Sequence, residues 1–266
     1  MKRLHEFSHK IQFLLTDIDD TLTDEGRLGP AAYSALWKLQ NSGVQIIPIT
    51  GRPAGWCEMI TRMWPVSGVV GENGGFYFRY HNKKMHRYFL NTPVNTSENN
   101  REKLSLIQDE ILREVPGADV ASDQFCRLMD LAIDFCEDVP RLPAHEVDRI
   151  VSIFKRHGAQ AKVSSIHVNG WFGTYNKVTT SLLFLEKEFG ISNSEAKKIC
   201  AFSGDSPNDE PMFEFFPNSF AVANISEFVS TLKHLPTYVS EGRGGEGFSE
   251  IASQILKIRQ GNIQKN

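Results

Sequence analysis

Two aspartates separated by one residue, Asp17 and Asp19, follow directly on the apolar run Phe13-Leu14-Leu15-Thr16. A short apolar run that stops at carboxylates reads as a buried strand of a covered parallel sheet, and such sheets place their chemistry beyond the carboxyl ends of their strands. Whether the strand persists past Asp17 or begins to turn, like charges are brought close together. That proximity is unfavourable unless a cation intervenes or one carboxyl keeps its proton, so the pair points to a metal and to two carboxylates with separated pKa values. The same residues would also serve as a solvated acidic turn between strand and helix.

Three further segments carry parts of the same chemistry. The run Val44 to Ile49 ends at Thr50-Gly51-Arg52, which offers a hydroxyl and a flexible backbone of the kind that binds oxyanions, and equally an ordinary turn. Asn176-Lys177 opens the amphipathic stretch Val178 to Phe189. Ile199 to Ser203 then runs into Gly204-Asp205-Ser206-Pro207-Asn208-Asp209, a second strand followed by acids. Taken singly, a lysine at a helix start is usually solvated, and the last hexapeptide is a good turn and helix cap.

In this order the four pieces resemble the motifs of the haloacid dehalogenase superfamily, most of whose members are phosphatases. Asp17-x-Asp19-x-Thr21 is similar to its first motif, Thr50 to its second, Lys177 to its third and Gly204-Asp205-x-x-Asn208-Asp209 to its fourth. The resemblance covers residues 11 to 80 and 172 to 255 and implies an α/β, Rossmann-like core with helices on both faces of a parallel sheet. It implies that Asp17 is a nucleophile that forms an aspartyl phosphate, with Asp19 as general acid and then general base. Mg2+ would be held by Asp17, Asp205 and the backbone carbonyl of Asp19, a set of hard oxygens. Lys177 would supply a compact positive charge, while Thr50, Gly51 and Asn208 would bind the phosphate. Asp209 would orient Lys177 or a water on the metal, and Asn73, in the turn Glu72-Asn73-Gly74-Gly75, would stand beside the site. The Thr21 hydroxyl also suits a simple loop cap.

Composition agrees with a globular enzyme. The 266 residues are 41% hydrophobic, enough for one large domain or two small ones. A net charge of -3 and a pI near 6.3 argue against a general nucleic-acid binder, leaving small anions possible through a local positive site. Met1 to Gln12 lacks the apolar core of a signal peptide, and no apolar run is long enough to span a membrane. Cys57, Cys126, Cys136 and Cys200 are scattered without metal-ligand spacing. The expectation is a cytoplasmic protein with reduced thiols, no membrane or nucleic-acid partner, and a small phosphorylated molecule as its ligand.

The elements that must position these residues form a core, an insertion and a return to the core: residues 1–81, 82–171 and 172–266. Ala31, Ala35, Leu36 and Leu39 recur at helical spacing before Gly43, and a second helix is expected over Ala54 to Met63. The strand Gly68 to Val70 and the outgoing strand Phe76 to Tyr80 follow. In the insertion, the polar segment Asn91 to Arg101 suits a loop at its start. A helix over Glu98 to Val115, a strand over Leu131 to Phe135, a helix over Ala144 to His157 and a strand over Lys162 to Val168 make an α+β module with its own core. Such an insertion resembles the larger cap of subfamily IIB, which includes Cof-like proteins and the sucrose-, trehalose- and mannosyl-phosphoglycerate phosphatases. A cap joined by two crossings implies a hinge.

Specificity would then come from the cap. Alternation puts Ser165, His167 and Asn169 on one strand face, ready for a polyol, with Ser164, Ile166 and Val168 on the other; a solvent-facing sheet gives the same pattern. Arg127 would grip a carboxylate or second phosphate, or pair with Asp130 on the surface. Trp171 packs at the second crossing or stacks on a sugar. These features imply a magnesium-dependent phosphatase of a sugar phosphate or glycosyl-phosphoglycerate. The alternative on the same scaffold is a phosphohexomutase. A non-enzymatic phosphometabolite sensor has little support, because no acid and no lysine of the set is missing.

Overall fold

The computed structural model describes residues 1–90 and 98–261. The chain opens with β1 (Lys2–Arg3) and β2 (Phe13–Thr16), whose four residues are all buried. A ribbon of β3 (Thr23–Asp24) and β4 (Arg27–Leu28) leads into α1 (Pro30–Asn41), where proline occupies the first turn and needs no N–H partner. α1 buries Ala32, Ala35, Leu36 and Leu39 and is followed by Gly43 at φ +85°, a left-handed stop. Next come β5 (Gln45–Pro48), α2 (Ala54–Met63), β6 (Val69–Gly71), β7 (Phe76–His81) and β8 (Lys84–Phe89).

The insertion contains α3 (Glu98–Glu114), β9 (Asp119–Val120), β10 (Leu131–Asp134), α4 (Ala144–Arg156), β11 (Gln160–Val163) and β12 (His167–Trp171). Its sheet runs β11-β12-β10-β9, antiparallel throughout, and Ile107, Ile111, Ile150 and Phe154 of the two helices pack with Ile133 and Val168 in a separate core. The chain returns through α5 (Lys177–Phe189), α6 (Asn193–Ile199), β13 (Cys200–Gly204), α7 (Glu210–Phe215), β14 (Ser219–Ala221), β15 (Tyr238–Val239) and α8 (Gly244–Gly261).

The main sheet is parallel in the order β1-β15-β14-β13-β2-β5, extended toward β6 by a bridge between Ile49 and Val70. Successive strand residues point to opposite faces, so both faces must be covered. Leu14, Ile46, Ala201 and Phe220 pack under α1 and α8, while Leu15, Ile47, Phe202 and Ala221 pack under α5, α6 and α7. Because β13, β2 and β5 are neighbours, the segments after them share one sheet edge.

Three expectations change. β8, placed above in the insertion, pairs with β7 along its whole length, and Phe89 packs on the core. The boundary therefore lies beyond Phe89. Asn82 and Lys83 sit at φ +50° and +60°, the two-residue turn whose twist returns a strand beside its predecessor. The single strand Lys162 to Val168 is instead the hairpin of β11 and β12, turned at residues 164–166, where Ser164 Oγ accepts the His167 N–H at 3.0 Å. Of the loop expected over Asn91 to Arg101, residues 91–97 lie outside the described residues, and from Glu98 the chain is helical.

Candidate active site

The acids at the strand ends meet a lysine delivered by the opposite layer. Lys177 is the first residue of α5, whose N-cap Asn176 accepts the Thr179 N–H. Its Nζ lies 2.7 Å from Asp17 Oδ1, 2.9 Å from Asp209 Oδ1 and 3.4 Å from Asn208 Oδ1. Asp209 approaches because β13 ends in glycine: a Cβ on Gly204 would stand 2.4 Å from Asp209 Oδ2. The Asp205 N–H donates to that same oxygen at 3.1 Å, and the Thr21 hydroxyl donates to Asp205 Oδ1 at 3.0 Å.

Burial decides the electrostatics of this cluster. It pushes Asp17 up to about 8, with Lys177 pulling down and Asp209 and Asp19 pushing further up. It also holds Asp205 well above the usual carboxylate range, with Asp209 and Asp17 adding to the effect. Burial works against the charge of Lys177, but Asp17 and Asp209 more than offset it and raise its pKa. Asp17, Asp205 and Asp209 are buried and can each offer one oxygen, all within 4.8 Å of one another. Three carboxylates against one ammonium, all with hard oxygens, fit a divalent cation such as Mg2+. Asp19, expected to ligate through its backbone carbonyl, turns its carboxylate to Arg52, while Asp209 joins the side-chain cluster.

The Asp19 and Arg52 pair is a feature the sequence reading missed. Arg52 Nε lies 3.0 and 3.2 Å from the two Asp19 oxygens and Nη2 2.9 Å from Oδ1. Nη1 reaches Glu137 of the cap at 3.1 Å, and the guanidinium lies 4.4 Å from the ring centroid of Trp56. Glu137 in turn stands 2.9 Å from His167 Nε2, an ion-pair distance without hydrogen-bond geometry. Contact with His167, opposed by burial and reinforced by Arg52, holds Glu137 down at about 2. The only local signal was the position of Arg52, directly after Thr50-Gly51.

Around the acids stand the expected phosphate-binding parts. Thr50 is fully buried, and its hydroxyl accepts the Arg52 N–H at 3.0 Å. The Asn73 N–H donates to the Thr50 carbonyl at 3.1 Å, and its buried Nδ2 has no hydrogen-bond partner among the described residues. A cavity of about 20 Å³ is enclosed between Asp17, Asp19, Gly51, Arg52, Asn73 and Asn208 of the core and Arg127, Ser164, Ser165, His167 and Asn169 of the cap. Cavities of about 500 and 380 Å³ border the 164–166 turn on its two sides.

The cap residues are not arranged as alternation suggests. Ser165 belongs to the turn, so Ser164 and Ile166, assigned above to the other face, reach the cavity as well. Arg127 is not at the surface. Its side chain is 0% exposed, with Nε and Nη2 on Asp123 at 2.9 and 3.2 Å and Nη1 on Asp130 at 3.2 Å and on the Gly51 carbonyl at 2.9 Å. Asn169 Nδ2 donates to Asp130 at 2.9 Å. Trp171 is buried and stacked on Tyr175 at 5.7 Å, which makes it linker packing.

Comparison with known proteins adds to this geometry. A family model described as haloacid dehalogenase-like hydrolase matches residues 14–100. A phosphoglycolate phosphatase of Methanobrevibacter smithii is 27% identical over 253 residues, covering 92% of this chain and 99% of that protein. A Thermoplasma acidophilum protein of known structure superposes with a TM-score of 0.71 at 18% identity, covering 93% and 99% of the two chains. The sucrose-phosphatase of Synechocystis, solved with sucrose and phosphate, gives 0.62 at 15% identity over 93% and 98%. At these identities the two structural likenesses concern the fold.

Proposed function

Since the chain belongs to the haloacid dehalogenase-like hydrolases, we propose that it is a phosphatase of a small phosphorylated metabolite that works through an aspartyl phosphate on Asp17. The observation that carries this reading is the buried contact of Lys177 with both Asp17 and Asp209, at the strand ends and beneath a cap. In the first step an Asp17 oxygen attacks phosphorus while the bond from phosphorus to the leaving oxygen breaks, and Asp19 gives that oxygen a proton. In the second step water attacks the same phosphorus, Asp19 takes a proton from the water, and the bond to Asp17 breaks to release phosphate. Lys177, the Thr50 hydroxyl, the Gly51 backbone and Asn208 are suited to hold the equatorial oxygens. Asp17, Asp205 and the backbone carbonyl of Asp19, with Asp209 beside them, would hold Mg2+, which supplies charge neutralisation between an anionic nucleophile and an anionic ester.

For the leaving group, the cap offers a polar wall. Ser164, Ser165, His167 and Asn169 face the enclosed cavity, and the arginines beside them are already paired with carboxylates. These polar side chains support a sugar phosphate or a glycosyl-phosphoglycerate, and the name of the Methanobrevibacter relative supports phosphoglycolate as the second reading. The test is phosphate release from hexose phosphates, disaccharide phosphates, glycosyl-phosphoglycerates and phosphoglycolate, with and without Mg2+. Mg2+-dependent release concentrated on a sugar phosphate or glycosyl-phosphoglycerate is the expected result. Preference for phosphoglycolate would overturn the substrate assignment, and no release from any ester would overturn the phosphatase reading.

A further inference from the structure

We propose that Glu72 and Arg127 pin one edge of the cap to the phosphate-binding turn of the core, so that the cap pivots about this edge and admits substrate beside the 164–166 turn. Both are thereby positioning residues, and their catalytic consequence rests on the phosphatase reading.

Glu72 follows β6 of the core and is fully buried. It and Asn73 adopt φ +43° and +55°, a left-handed pair that side chains other than glycine rarely take and that persists only where the surroundings enforce it. The carboxylate that results lies across the boundary between core and cap. Oε1 accepts the N–H of Ala54, at the start of α2, and that of Leu128 in the cap, both at 2.9 Å. Oε2 accepts the N–H groups of Leu128 at 3.1 Å, of Met129, and of Asp130 at 3.2 Å. Three successive cap amides thus end on one core side chain. Close packing reinforces the join, because a Cβ on Gly55 or Gly75 would stand 2.7 Å from Cys126 or Met129.

Arg127 carries the join to the chemistry. Flanked by Asp123 and Asp130, it donates Nη1 to the Gly51 carbonyl at 2.9 Å. The N–H of that same peptide, on Arg52, donates to Thr50 Oγ1 at 3.0 Å. A planar peptide held at its oxygen and at its hydrogen cannot rotate, so the turn keeps its shape in every cap position that preserves this edge. The 164–166 turn of the cap is held differently. Ser165 and Asp20 share the walls of the wide cavities there, and Glu137 meets Arg52 side chain to side chain. Those contacts can part without unmaking backbone hydrogen bonds.

Amide hydrogen exchange of the full chain tests the pivot, with and without Mg2+ and orthovanadate as the probe. In the unliganded protein the amides of Leu128, Met129 and Asp130, whose acceptor lies in the core, should exchange within about tenfold of the ladder amides between β10 and β12 of the cap. Exchange at 128–130 far faster than in that ladder would overturn the pivot. Glu72→Gln, which keeps one acceptor oxygen of the two, should lower the protection at 128–130, and unchanged protection would overturn the role of that carboxylate. For positioning, Arg127→Lys should retain about tenfold more kcat than Arg127→Met, because one donor to the Gly51 carbonyl survives. Equal kcat in the two variants would overturn it. Absence of turnover in the unmodified protein would instead count against the phosphatase reading and leave the exchange result standing.

Discussion

Arg52 holds both carboxylate oxygens of Asp19 while its remaining terminal nitrogen holds Glu137 of the cap, so one guanidinium joins the proposed acid and base to the domain that covers it. A carboxylate clamped in this way is fixed in place, and its departure from the clamp is tied to movement of the cap. We predict that Arg52→Met lowers kcat by about 10², the smaller end of what a positioned acid and base contributes. Arg52→Lys should recover only a small part, because an ammonium lacks the planar fork. Steady-state kinetics of the two variants check this, and equal activity in Arg52→Lys and the unmodified protein would remove the clamp from the account.

Lys177 is the only ammonium bonded to Asp17 and Asp209 among the described residues. Removing one partner of a buried pair costs about 3–5 kcal/mol because the other charge stays behind. Lys177→Met should therefore lose activity and unfold at lower denaturant in a chelator, with Mg2+ restoring part of the loss. Denaturant melts in both conditions decide it, and an unchanged midpoint would show that Lys177 does not neutralise the cluster.

Thr21 bonds Asp205 without being a candidate metal ligand. Partners of this kind orient a ligand, and their loss typically costs 10- to 100-fold in metal affinity, so Thr21→Val should weaken Mg2+ by about that factor. Thermal shift against Mg2+ concentration measures it. An unaltered titration would mean that Asp205 is oriented by something else.

Glu137 is held down from its ordinary 4.5 to about 2 by its contact with His167 and by Arg52. A carboxyl depressed in the folded state contributes stability that is fully present above its unfolded value and is lost as pH falls toward the folded one. The stability difference between the unmodified protein and Glu137→Gln should be constant above about pH 5 and shrink steadily below it. Unfolding free energies from pH 7 to 3 test the sign, and a difference that grows on acidification would contradict it.

Much of the core was legible because parallel strands buried on both faces read as uninterrupted apolar runs that stop where the chemistry begins. Phe13 to Thr16 before Asp17 and Cys200 to Gly204 before Asp205 are cases in point. Lys177 was legible as the start of an amphipathic helix. The hairpin of β7 and β8 was not, since its turn uses Asn82-Lys83 where Asn-Gly would have announced it. Alternation over residues 163–169 misled because two strands and a turn also alternate, and only tertiary packing brings Ser164 and Ile166 to the cavity. The burial of Arg127 and the reach of Glu72 across the domain boundary depend on pairs far apart in the chain, which no local period encodes.

The proposed reaction rests on Asp17 as the nucleophile. Its most direct test is Mg2+-dependent phosphate release by purified Asp17→Asn protein, alongside the unmodified chain on its best substrate, with matching circular dichroism. Turnover is expected in the unmodified protein and none above the no-enzyme rate in Asp17→Asn. Substantial turnover by folded Asp17→Asn protein would contradict it.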